Sequence, residues 1–219
     1  MIQNFTNSLD SIKEKVTNIG NGLLNANELI LEALKDCDTT KFNDAKAFIK
    51  NISSKTNEID NELIKVLALY TPEARDLRRV IAYMKITNDF SRACANTRSF
   101  IKGFTDVCAD VDTETIKEYA LPMQNSTVKA IRTTINMIAI DDIDEIQECY
   151  NDVLIEENKT DDLYEMIEAN LHKIAKELDE FEKFYRMLKA LRKSGKIADR
   201  VSSIANLLVY IQVGGNFHR

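Results

Sequence analysis

Between residues 5 and 37 an apolar side chain returns every three or four positions. Phe5, Leu9, Ile12, Val16, Ile19, Leu23, Ala26, Ile30, Ala33 and Cys37 form one uninterrupted seam. Steps that alternate four and three hold side chains on a single stripe of an α-helix, and a stripe this long belongs to a helix packed nearly parallel to its neighbours. A strand would alternate every second residue. Gly20 and Gly22 weaken the helix locally without breaking the seam, and the turn Asp36-Cys-Asp-Thr-Thr40 ends it. With only 6 Gly and 2 Pro in 219 residues, the chain lacks the turn formers of an all-β fold.

The remaining pattern predicts five more long helices. A second runs from Phe42 to Leu69, with Ala45, Ile49, Ile52, Ile59, Leu63 and Val66 inward. Thr71-Pro72 stops it and starts a third, Thr71 as cap and Pro72 in the first helical position, which runs to about Phe104. A fourth begins near Asp112, and Pro122 inside its apolar pattern should kink it. A fifth, from Ile143 to about Leu178, opens on a capping-box signature, Asp142 with Glu145 three residues on. A sixth follows to Val213, with Gly195 as a weak interior point, and Gly214-Gly215 ends it, leaving a frayed tail.

Two basic triplets relate the halves of this all-α chain. Arg78, Lys85 and Arg92 recur as Arg186, Lys193 and Arg200 at a constant offset of 108. Each triplet is spaced by nearly two helical turns and so lies along one helix face. An internal duplication explains both. The expected architecture is two tandem three-helix bundles, residues 1–107 and 108–219. No Pro/Gly/Ser linker separates them, so they should form one rigid unit. The triplets have two readings. They could dock an acidic partner or bind phosphate. The favoured reading is structural, with pairing to acids on the preceding helix of each half, such as Asp60, Glu62, Asp161 and Glu165.

The chemistry on offer is narrow. Histidine occurs twice, His172 and His218, which argues against a His-based hydrolase or a His-rich zinc site. A ferritin-like di-iron centre needs Glu-x-x-His on two helices. The nearest match, Glu168 to His172, is one residue too long, so His172 reads as a surface residue. No glycine-rich phosphate loop is present, and no catalytic residues are assigned. The net charge of −6 argues against nucleic acid as a partner. No apolar run would span a membrane, and the start lacks a signal peptide's apolar core. Cys37, Cys94, Cys108 and Cys149 show no C-x-x-C spacing and read as free, mostly buried thiols of a cytoplasmic protein. Glu157 and Asp161, four apart, share a helix face that either ligates a hard cation or is simply solvated.

The stretch Tyr70 to Arg98, YTPEARDLRRVIAYMKITNDFSRACANTR, carries Pro72, Ala74, Asp76, Leu77 and Arg78. It resembles the PhoU family, whose Pro-x-Ala-x-Asp-Leu-Arg motif follows its second helix and whose three-helix unit is repeated twice. The second half shows weaker signs, Asp199-Arg200 and the ending Val-Tyr-Ile-Gln-Val-Gly-Gly. The resemblance implies a non-enzymatic adaptor that contacts the phosphate ABC transporter ATPase and a sensor histidine kinase. Such an adaptor keeps phosphate uptake and the starvation response off when phosphate is plentiful, often as a homodimer, reaching the membrane only through its partners. The alternative is a diverged helical scaffold outside phosphate control. The family also implies iron, zinc, manganese or magnesium held by acidic pairs of the form Glu/Asp-x-x-x-Asp. Those pairs fall on Ser91 and Ala95, on Thr56 and Asp60, and on Asp199 and Ser203; Glu157 and Asp161 alone are intact. The expectation is weak or no multinuclear binding in the first half and a mononuclear site of Glu157, Asp161 and Asp199. Arg92 and Arg200 each follow a first-acid position, now Ser91 and Asp199. With Asp76, Arg78 and Arg186 they are assigned to the bundle or to a partner rather than to metal.

Overall fold

A computed structural model describes residues 2–111, 113–174 and 178–214. The predicted seam lies on α1 (Ile2–Asp36), and its residues from Leu9 to Ala33 are buried. Asp38 N–H bonds to the Ala33 carbonyl at 3.0 Å, and Cys37 holds φ at 52° between them. This is the left-handed helix ending that glycine usually supplies.

The predicted second helix is broken into α2 (Thr39–Phe48) and α3 (Ile52–Leu69). Its inward residues are buried as expected, but Asn51 turns left-handed at φ 56° between the pieces. Asparagine tolerates that conformation, and Arg98 caps the break by donating to the Ile49 carbonyl at 3.1 Å. Asp38, not a residue near Phe42, opens α2, accepting from Thr40 and Lys41 N–H. The third predicted helix, α4 (Ala74–Thr105), begins later than the Thr71-Pro72 signal placed it. The chain stays extended to Glu73, which caps through its backbone, and Ala74 turns in at φ 30°.

The fourth predicted helix opens as a short α5 (Thr113–Thr115) and a π-helical turn at 116–120 that leads into α6 (Leu121–Met137). Pro122 cannot donate, and its ring crowds the carbonyl four residues back. The widened turn, closed by Leu121 N–H to the Ile116 carbonyl, accommodates it. Asp142 caps α7 (Ile143–Ile174) as predicted, accepting from Asp144 and Glu145 N–H at 3.1 and 2.9 Å. The last helix, α8 (Leu178–Val213), ends before Gly214, whose φ is 74°. The tail expected to fray and the side chains of His172 and His218 lie outside the described residues.

The fold is two tandem three-helix bundles related by the internal duplication: α1, α2–α3 and α4, then α6, α7 and α8. Helix α4 packs most extensively against α8, and α1 also packs along α6, so the halves share one continuous apolar core. A buried polar chain crosses it. The Gln124 amide donates to the Asn27 side-chain carbonyl at 3.0 Å, Ser194 donates to the Gln124 carbonyl at 2.9 Å, and Thr127 bonds Ser194 at 2.9 Å. All four are fully buried, and their mutual satisfaction removes the cost of dehydrating them.

The cysteines correct the sequence expectation. Cys37 and Cys108 form a disulfide across a sequence separation of 71, while Cys94 and Cys149 are free. The two bonded residues stand just past the ends of α1 and α4, which the bundle brings together. Spacing in sequence carries no sign of that meeting. Burial pushes the Cys94 thiol up to about 12, so it is inert packing.

Candidate functional site

Helices α4 and α8 run antiparallel, and their register can be read residue by residue. Ser203 donates to Asp89 at 3.0 Å, Asn96 reaches the Lys196 carbonyl at 3.5 Å, and a side chain at Gly103 would meet Ala190. As α4 advances seven residues, α8 retreats by six or seven. This register sets Arg92 opposite Arg200, the residues that the offset of 108 makes equivalents. Both line a groove of about 760 Å³ with Lys85, Asp89, Glu157 and Asp199.

Within the groove Arg200 pairs with Asp89 at 3.3 Å, and the Ser203 hydroxyl takes the other carboxylate oxygen. Asp89 is only 13% exposed, so it is a shielded acid with two donors. Arg92 is exposed and has no ion pair among the described residues. The favoured structural reading of the triplets is therefore corrected. Their acids come from elsewhere than the preceding helix: Arg200 takes Asp89 from the other half, and Arg186 takes Asp110 at 3.6 Å and Glu182 at 4.0 Å. Glu62, expected to pair with a triplet, holds Lys15 at 2.5 Å instead. Arg78 packs its guanidinium over Gly214 at the end of α8, with its Nε buried and lacking an acceptor among the described residues. Asp76 sits in the first turn of α4, where a carboxylate suits the helix dipole, and lies 4.0 Å from Arg79.

At one flank of the groove Glu157 and Asp161 of α7 meet Asp199 of α8. One carboxylate oxygen from each lies within 4.8 Å of the others. Burial pushes the Glu157 carboxyl up, and Asp161 and Asp199 push it further. Asp199 is raised by burial first and Asp161 second, against the opposing pull of Arg192, Arg200 and Lys196. Three converging anionic oxygens whose ionisation is opposed are a donor set that a hard divalent cation would relieve. The set fits one such ion, with water completing its shell, and the nearby cations weaken it. Arg192 is held there by stacking on Tyr164, 4.6 Å from the ring centroid. It is the only group of three such ligands among the described residues. In the first half Thr56 is turned back on the Ser53 carbonyl at 3.1 Å, and Ala95 is exposed on α4. Sequence reasoning found the acidic group but missed Asp89 and Arg192. Their only signal was position: Asp89 is three residues before Arg92, and Arg192 adjoins Lys193.

These features define a two-bundle helical protein with a polar groove along the helix pair that joins its halves. The PhoU domain model matches residues 16–99 of the chain, and the chain has the PhoU fold over nearly its whole length. PhoU from Pseudomonas aeruginosa superposes with a TM-score of 0.84 at 19% identity, covering 96% of this chain and all of that one. The phosphate transport system regulatory protein PhoU from Streptococcus pneumoniae gives 0.77 at 16% identity, covering 96% and 98%. No curated protein matches the chain in sequence. No helix of the described residues is long and apolar enough to cross a membrane.

Proposed function

We propose that this protein is a non-enzymatic regulator of phosphate uptake. It would act by contacts with the phosphate transporter ATPase and a sensor histidine kinase, and as a homodimer. The observation that carries the reading is the PhoU domain at 16–99 within a chain that superposes end to end on a phosphate transport regulatory protein. A rigid helical body that offers extended helix faces suits partner docking, because its surfaces are fixed before binding and little ordering entropy is lost. The test is a binding titration of the full chain against the transporter ATPase and against the kinase's cytoplasmic region, each with and without manganese. Saturable binding to either supports the reading; no binding to both under both conditions overturns it.

A weak metal site is a second proposal, carried by the convergence of Glu157, Asp161 and Asp199. Iron, zinc, manganese or magnesium would be held by these three residues, and its chemical contribution would be charge neutralisation between α7 and α8. Metal that co-purifies in proportion to protein and is lost in Glu157→Ala/Asp161→Ala supports it. Metal-free protein whose stability and partner affinity ignore added metal overturns it.

A further inference from the structure

The antiparallel register of α4 and α8 merges the two basic triplets into one ladder. Advancing seven residues along α4 meets Lys85, then Arg92 beside Arg200. Seven more reach Ser99, beside Lys193 of α8, and the next step reaches Asp106, beside Arg186. Lys85, Arg92 and Arg200 line the first hollow of the seam; Ser99, Lys193 and Arg186 line the next. Seven helical residues rise about 10 Å, so the rungs from Lys85 to Arg186 span roughly 30 Å. This row of cations runs along one seam of a chain whose net charge is −6. Asp89 and Asp110 each occupy one arginine. Arg92 and Lys193 have no ion pair among the described residues.

We infer that the α4–α8 seam docks a helical segment of a partner protein bearing carboxylates two helical turns apart. The inference rests on the adaptor reading and adds the surface and the partner's chemistry. The spacing carries it, because a helix with acids at every seventh position repeats the ladder's own rise. Duplex nucleic acid fits poorly: its phosphates recur every ~1.7 Å of axis and want a continuous positive field. Here Asp89, Asp106 and Asp199 interrupt it. A lipid surface fits poorly too, since the cations lie along a groove whose floor, at Leu207 and Ala190, is buried.

The probe is a fluorescent, alanine-rich peptide of about 20 residues with glutamates seven apart, compared by anisotropy with a scrambled peptide of equal composition. The full chain should bind the registered peptide about tenfold more tightly than the scrambled one. Arg92→Ala/Lys193→Ala should lose that preference while melting as the parent does. Arg92→Glu/Lys193→Glu should instead prefer a peptide with lysines at the seven-spaced positions. Equal binding of both peptides by the parent, or an undiminished preference in the alanine variant, overturns the inference. So does binding to duplex DNA or phosphatidylserine vesicles that exceeds peptide binding and is lost in the same variant. The peptide reports on the seam alone and the ATPase and kinase titrations on the adaptor reading alone, so either can fail without the other.

Discussion

Asp89 shows what a shielded acid demands of its neighbours. Removing the Arg200 guanidinium leaves the carboxylate with the Ser203 hydroxyl and no cation within 4.0 Å among the described residues, while Arg92, exposed and without an ion pair among those residues, has little to lose. Arg200→Ala should therefore lower stability by about 1 kcal/mol, a partly exposed pair being screened, and Arg92→Ala should stay within about 0.5 kcal/mol. Urea melts of both variants check this. Were both arginines serving the bundle, both substitutions would destabilise it. At Glu157 and Asp199 the effect is one of protons. Burial and like charge hold both carboxyls above their ordinary values. The fold thus keeps protons that the unfolded chain has already released as pH rises through the carboxylate range. Stability falls across that window and stays lower above it. Asp161→Asn removes one of the repelling charges. In chelator-treated protein it should raise stability near pH 7 by about 0.5 kcal/mol and leave it unchanged near pH 4, by denaturant titration at the two pH values. Side chains that repel or pair across α7, α8 and α4 were half legible. Glu157 and Asp161 announce themselves by sharing one helix face, whereas Asp89 meets Arg200 only because two distant helices pack.

At the scale of elements, the seam of α1 was fully legible because its period is local, and so was the Asp142 cap. The break at Asn51 was not. Its surroundings lie on another helix: α2 ends with the Phe48 carbonyl 2.6 Å from where a Gly22 side chain would stand. Gly22, which weakens α1 in isolation, is what lets α2 approach it. Gly22→Ala should cost about 1–3 kcal/mol, as overpacking does, in the same urea assay. The disulfide was illegible for the same kind of reason, since it joins two helix ends brought together only by the bundle. Denatured, unreduced protein should titrate two thiols, Cys94 and Cys149, rather than four. Reduction should lower stability by about 4 kcal/mol on the chain-entropy account of a loop this long, seen as an earlier melt in dithiothreitol.

The whole molecule is held as one unit by what crosses its midline. Gln124 and Ser194 of the second half close on Asn27 of the first, and α8 buries its inner face on α4. A fragment of residues 108–219 would leave the Gln124 amide without Asn27 and the α8 face wet. Expressed alone, it should give weak, non-cooperative helical signal by circular dichroism, and adding residues 1–107 should restore a cooperative melt. The facing of Arg92 and Arg200 has a further consequence. In a symmetric pair of identical three-helix units, whatever stands on one side of the twofold stands on the other as well. Any acid supplied to one arginine would be supplied to both, and none could be left over. Joining the units into one polypeptide lifts that constraint. Asp89 has Ile197 as its counterpart at the offset of 108, so one arginine is neutralised and its twin is released. Covalent fusion lets a symmetric scaffold divide labour, one half keeping the structure and the other free to meet what lies outside it.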